Sequence, residues 1–286
     1  MTRLPIFVPV AGSHVAAVVT APADPRGLVM LLAGTGRHNS IGSTFSASLS
    51  ERLAAAGLAS VRLDYAGVGD STGTVASWTP SDVEAAAAQA RAALCVTSDA
   101  LGVTSFASVG TCYGSRVALA LVPDPGCVGA ICLAPPLLDA GGASSLHGRP
   151  GALGVVSYLR SNAILRRLVL APLRALRRVR KPRSPAVDML EHLDRIRLVF
   201  LYGRNPEDDH YSSLARERIE AAVQALPADQ QERFELRMLD FGPLTTFDGL
   251  RHDDQDAILD AVVPYVRACF DLPIEARPEA AVGTRS

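Results

Sequence analysis

Five short β-type runs constrain this chain more than any other feature of its sequence: Leu28–Leu32, Leu58–Leu63, Val103–Val109, Val128–Leu133 and Leu198–Tyr202. A strand with one wet face alternates apolar and polar residues, whereas a continuous run such as Leu28–Leu32 is expected where both faces are covered. Helical patterns lie between the runs. Phe45–Ala56 is one, stopped by Gly57. Ser81–Cys95 is an Ala-rich second, with Ser81 placed to cap it, and Ser115–Leu121 is a third. Strands alternating with helices predict a mostly parallel sheet with helices on both faces. The 286 residues suit one large domain or two small ones, and an apolar content of 48% is enough for a sizeable core.

The remaining segments extend this pattern. Leu4–Val10 and His14–Thr20 read as two strands around the turn Ala11-Gly12-Ser13. The alternation pauses between Ala134 and Val187, then resumes with a helix at Tyr211–Leu226 and a strand at Arg233–Leu239. Apolar and charged residues alternate in that strand, which predicts a place towards a sheet edge. Gln255–Phe270 is the last helix, and Leu272–Ser286 is polar with Pro and Gly, as in a frayed tail. The expected organisation is a core of residues 1–136 and 188–271 with about eight strands, an insertion at 137–187, and a tail at 272–286.

Composition removes several classes of function. A net charge of −1 argues against a nucleic-acid partner. The five cysteines include no C-x-x-C pair, so no metal site is expected, and the set fits a reducing cytoplasm. The start of the chain carries Pro5 and Pro9 and no sustained apolar segment, so no signal peptide is expected. No run approaches the ~18 apolar residues of a membrane span. The glycine-rich turns lack the G-x-x-x-x-G-K-[ST] pattern of a phosphate-binding loop, and no cofactor is expected.

The turn between Val109 and Ser115 reads Gly110-Thr111-Cys112-Tyr113-Gly114. A G-x-S-x-G sequence between a strand and a helix exposes a nucleophile on a sharp turn, and here Cys112 holds the central position. The plainer alternative is a small buried thiol at a strand end. With Leu31-Leu32-Ala33-Gly34-Thr35-Gly36 and with Arg62-Leu63-Asp64-Tyr65-Ala66-Gly67-Val68-Gly69-Asp70-Ser71, this turn resembles the α/β-hydrolase superfamily. It is similar to the serine-aminopeptidase-like group, and within it to small bacterial hydrolases associated with exosortase clusters. Dienelactone hydrolases, which also use a Cys elbow, are a second resemblance.

The resemblance implies an α/β-hydrolase fold with a helical cap, and roles for particular residues. Cys112 would be the nucleophile, reactive as its thiolate. The base would be a His late in the chain, and His252, expected in a loop before the last helix, fits that order. The acid would follow the strand ending at Tyr202-Gly203, where Asp208 is the first choice and Glu207 and Asp209 stand beside it. The position about three residues after the glycine, where such enzymes often carry the acid, is Pro206 in this chain. The oxyanion hole would use the backbone N–H of Tyr113 and a donor from the Gly34-Thr35-Gly36 loop, assigned to Thr35. Asp64 and the Gly67–Ser71 turn read as structural.

The insertion has no acidic residue between Asp139 and Asp188 but carries ten basic ones, among them Arg174, Arg177 and Arg178. Ile164, Leu165, Leu168, Val169, Leu173 and Leu176 have helical spacing, with Pro172 opening a second segment. These features suggest a cap with an apolar inner face. Its arginines are either simply solvated, or they meet an acidic carrier protein, coenzyme A phosphates or an anionic membrane surface. Three functions follow as expectations. One is acyl transfer from an ester or thioester through Cys112, with water, an amine or an alcohol as acceptor. Another is lactone or enol-ester hydrolysis of the dienelactone type. The last is a non-catalytic, hydrolase-like binding protein.

Overall fold

The structure, a computed structural model, describes residues 1–34, 44–74, 80–135, 188–203, 216–217, 219–239 and 252–271, with residues 80–82 and 252–254 described for their backbone only. Eight strands form one sheet: β1 (Thr2–Val10), β2 (Ser13–Ala21), β3 (Leu28–Leu32), β4 (Ala59–Leu63), β5 (Phe106–Thr111), β6 (Cys127–Leu133), β7 (Arg197–Gly203) and β8 (Phe234–Leu239). Their order across the sheet is β1-β2-β4-β3-β5-β6-β7-β8. β1 and β2 are antiparallel, as are β2 and β4, and every other neighbour is parallel. The strand that alternates apolar and charged residues is the β8 edge.

The helices are α1 (Thr44–Ala55), α2 (Pro80–Leu101), α3 (Tyr113–Ala120) and α4 (His252–Phe270), besides short helical turns and a helical stretch at residues 219–224. The period-2 alternation of the strands splits the core in two. Leu28, Met30 and Leu32 of β3 join Ala86, Ala90 and Leu94 of α2 and Val117 of α3 on one face. Val29 and Leu31 join Phe45, Leu49 and Leu53 of α1 and Ile258, Leu259, Val262 and Val266 of α4 on the other. The apolar residues of α4 recur every three or four positions, which gives the helix one continuous buried stripe.

Element boundaries depart from the sequence reading at several places. α2 starts at Pro80, not at a Ser81 cap, and runs on from Cys95 to Leu101. Proline suits a first helical position because its missing N–H would have no partner there. α4 starts at His252, so that histidine opens the helix instead of preceding it. Asp253 and Asp254 read as loop in sequence, yet acidic residues suit a helix's positive first turn. β1 and β2 are each longer than expected, because the pairing runs from Thr2↔Ala21 to Val10↔Ser13. Pro5 and Pro9 have no N–H to give to β2, and their spacing puts both on one side of β1, the open edge of the sheet.

Two contacts seat α4. Arg52 of α1 is ion-paired with Asp256 and Asp260, one turn apart. Closer in, a Cβ on Gly129 of β6 would lie 2.4 Å from the Cys269 Sγ and 2.7 Å from the Arg197 carbonyl oxygen. Gly129→Ala is therefore expected to lower stability by about 1–3 kcal/mol through overpacking. Adding Cys269→Ala should recover part of that loss, because it removes the sulfur but not the Arg197 carbonyl. Urea denaturation of the three variants measures this; an alanine at 129 without cost would show that helix and strand do not meet so closely.

Candidate functional site

The parallel strands end along one edge of the sheet, and Cys112 stands there between β5 and α3. Its backbone has φ 50° and ψ −113°, a conformation that favours glycine and costs a side-chain-bearing residue about 1–3 kcal/mol. The cause is the contact between backbones on both sides. A Cβ on Gly110 would lie 2.4 Å from the Gly114 carbonyl oxygen, and one on Gly114 would lie 2.2 Å from the Leu32 carbonyl oxygen. With hydrogen at both positions, α3 starts directly against β5 and β3, and the chain must turn sharply at Cys112.

Hydrogen bonds lock the turn. The Cys112 N–H donates to the Leu133 carbonyl at 2.9 Å, one residue beyond the β5–β6 ladder, and the Ser115 N–H donates back to the Cys112 carbonyl at 3.1 Å. The buried Ser115 hydroxyl reaches the Gly110 carbonyl at 2.8 Å and the Leu133 carbonyl at 3.3 Å. Ala134, at the end of β6, repeats the device with φ 47° and an N–H donated to Leu201 at 2.8 Å.

Cys112 is half-buried, unlike most other thiols of the chain. Cys127, Cys132 and Cys269 are buried, and Cys95 is exposed on α2. Desolvation pushes the Cys127 and Cys269 thiols up to about 12 and Cys132 higher still, so these three stay protonated. A neutral, enclosed thiol is a poor nucleophile. Gly34 lies beside Cys112: a Cβ built on that glycine would stand 3.6 Å from the Cys112 Cβ, an ordinary van der Waals contact.

Tyr113, one of the two residues assigned to the oxyanion hole, is the first residue of α3, where helix N–H groups point along the axis away from the helix. Its ring is buried and meets Tyr65 edge-on, with centroids 6.4 Å apart at 87°. Such a contact is worth about 0.5–1.5 kcal/mol beyond burial. His252 is described only as the backbone start of α4. Thr35, the acid candidates Glu207, Asp208 and Asp209, and the insertion with Arg174, Arg177 and Arg178 lie outside the described residues, as does the tail from 272. Among the described residues no group of His, Cys, Asp and Glu could hold a metal, and no helix is long and apolar enough to cross a membrane.

Tyr65, whose ring meets Tyr113, was not singled out in the sequence. Gly34 belongs to the loop that the resemblance assigns to the oxyanion hole, and its place beside Cys112 shows only in the fold.

No protein-family model matches the chain, and no curated protein matches it in sequence. Solved structures do. The α/β hydrolase GrgF from Penicillium sp. sh18 has a TM-score of 0.62 at 15% identity, covering 95% of this chain and 100% of its own. An esterase from Pyrococcus furiosus has a TM-score of 0.60 at 15% identity, covering 93% of this chain and 91% of its own. Est1E from Butyrivibrio proteoclasticus, solved with ferulic acid, has a TM-score of 0.60 at 14% identity, covering 93% and 100%. At such identities the likeness is one of fold, and the chain has the α/β-hydrolase fold.

Thiol labelling tests the contrast among the cysteines. In the folded protein a small alkylating agent should modify Cys112 and Cys95, and should reach Cys127, Cys132 and Cys269 only after unfolding. Peptide mapping of the modified sites is the measurement. Rapid native modification of any of the buried three would contradict the packing described.

Proposed function

We propose that this chain is an acyl-transfer enzyme, an esterase- or thioesterase-type hydrolase or an acyltransferase, acting through a thioester on Cys112. The observation that carries the reading is the backbone of Cys112, a side-chain-bearing residue held at φ 50° where the central strands end. Strain of this kind persists where surrounding structure imposes it, and it clusters at functional sites. The partial exposure of Cys112 and the esterases among solved structures of this fold support the same reading.

In the proposed reaction His252 takes the Cys112 proton, and Asp208 orients the imidazole. The sulfur attacks the substrate's carbonyl carbon. The oxyanion that forms accepts hydrogen bonds from the backbone N–H groups of Tyr113 and Thr35, in a setting where each donor typically matters by ~10²–10³-fold. The carbon–oxygen or carbon–sulfur bond to the leaving group then breaks, and the imidazolium returns its proton to that group. Water, an amine or an alcohol attacks the thioester, gives its proton to His252 and releases the acyl product and the thiol. Arg174, Arg177 and Arg178 would meet the negative charge of an acidic acyl carrier protein or of coenzyme A.

Intact-mass measurement after incubation with a panel of acyl thioesters tests the covalent step. Wild type should gain the mass of one acyl group and Cys112→Ala should gain none, with turnover abolished. Cys112→Ser should keep a reduced activity, because a hydroxyl depends on its base more than a thiol does. Full activity in Cys112→Ala would remove the sulfur from the reaction. The arginines are tested separately. Changing Arg174, Arg177 and Arg178 to Ala should raise KM for a carrier-bound substrate in a salt-sensitive way and spare a small neutral thioester. Equal effects on both substrates, or none, would leave these arginines as solvated surface.

A further inference from the structure

The two edges of the sheet differ. β1 is interrupted by Pro5 and Pro9, whereas β8 has no proline along Phe234–Leu239 and, among the described residues, pairs with β7 alone. The Leu198 N–H donates to the Arg233 carbonyl at 2.9 Å, so Arg233, Glu235 and Arg237 turn their backbone groups towards β7. Successive residues of a strand alternate in this respect, and Phe234, Leu236 and Met238 present theirs to the open side. An open row of that kind is a template for another strand.

The side chains alternate as well. Phe234 and Leu236 pack on the α2 side of the sheet, Phe234 edge-on against Phe200 with centroids 5.5 Å apart. Met238 continues their row and is 36% exposed. Glu235 and Arg237 stand on the α4 side, where the Tyr265 hydroxyl donates to Glu235 and accepts from Arg237 at 3.0 Å. Their side chains remain 38% and 61% exposed.

We propose that β8 is the contact surface for a second copy of this chain: two β8 strands pair antiparallel about a twofold axis at Leu236, and join two eight-stranded sheets into one. This concerns assembly and does not depend on the chemistry at Cys112. Charge selects the register. With Leu236 opposite the partner's Leu236, Glu235 stands opposite the partner's Arg237, and Arg237 opposite the partner's Glu235. Sliding the partner by two residues sets Glu235 against the partner's Glu235 in one direction, and Arg237 against the partner's Arg237 in the other. Unlike charges directly opposite each other stabilise a strand pair, and like charges destabilise it. A slide of one residue would match open backbone groups with groups already bonded to β7.

The selected register also suits the backbone. Leu236 and the partner's Leu236 exchange both N–H···O bonds, as do Phe234 and the partner's Met238. Glu235 and Arg237 fall at the non-hydrogen-bonded positions, where opposed side chains approach most closely. On the other face the exposed Met238 gains an aromatic neighbour in the partner's Phe234. In a monomer the same two charges would instead guard the edge against strand addition.

Sedimentation velocity over a concentration series separates the two. Wild type should show a reversible monomer–dimer equilibrium. Arg237→Glu and, separately, Glu235→Arg set like charges opposite each other at both positions. Each should raise the dissociation constant by at least about tenfold. An equimolar mixture of the two variants should recover association as a heterodimer, because every carboxylate then faces a guanidinium. A wild type that stays monomeric up to its solubility limit would overturn the proposal. So would a dimer undiminished in both single variants, which would have to form through another surface, or a mixture that stays monomeric.

Discussion

Two missing methyl groups set the geometry of the site. At Gly110 and Gly114 the backbone of α3 lies against β5 and β3 so closely that a Cβ at either place would overlap a carbonyl group. Helix and strand can meet in this way only if the residue between them leaves the ordinary backbone regions, and that residue is Cys112. The strain is offset by what surrounds it. The Cys112 N–H continues the ladder to Leu133, and the Ser115 hydroxyl ties the turn to two carbonyls beneath it. A thiol on a relaxed loop would be free to turn away from a substrate; this one has its backbone dictated from both sides.

The arrangement also separates rigid parts from variable ones. The two apolar layers hold the strands whose ends converge beside Cys112, so the site inherits its precision from the sheet. Substrate choice in this fold lies elsewhere, in segments inserted between the strands, which is why one architecture serves many chemistries. The charge pattern of residues 137–187, rich in arginine and without a carboxylate from 140 to 187, sets that segment apart from the sheet strands in composition.

Much of the fold was legible because its central strands are buried on both faces. Leu28–Leu32 and Val128–Leu133 have no other stable home in water, and both are strands within one residue of the expected limits. Helix starts were less legible, since Asp253 and Asp254 suit a loop and a first helical turn equally well. β1 and β2 were underestimated because Arg3, Ser13 and Ala21 have little strand preference of their own; pairing across the hairpin recruits them. At the site, Cys112 stood out through its two glycines. The acid did not, because Pro206 occupies the position where the resemblance would put it.

The prolines of β1 have a consequence for how the chain survives its own folding. The first hairpin closes over a two-residue turn and can form early, whereas the pairing of β3 with β5 must join segments about seventy residues apart and comes late in such topologies. During that interval β1 is a finished strand with an open side, carrying Leu4 and Phe7 exposed. Another unfinished chain could add a strand to it. Pro5 and Pro9 leave gaps in the row of donors such an intruder would need, which makes this edge a poor template for a mispaired strand.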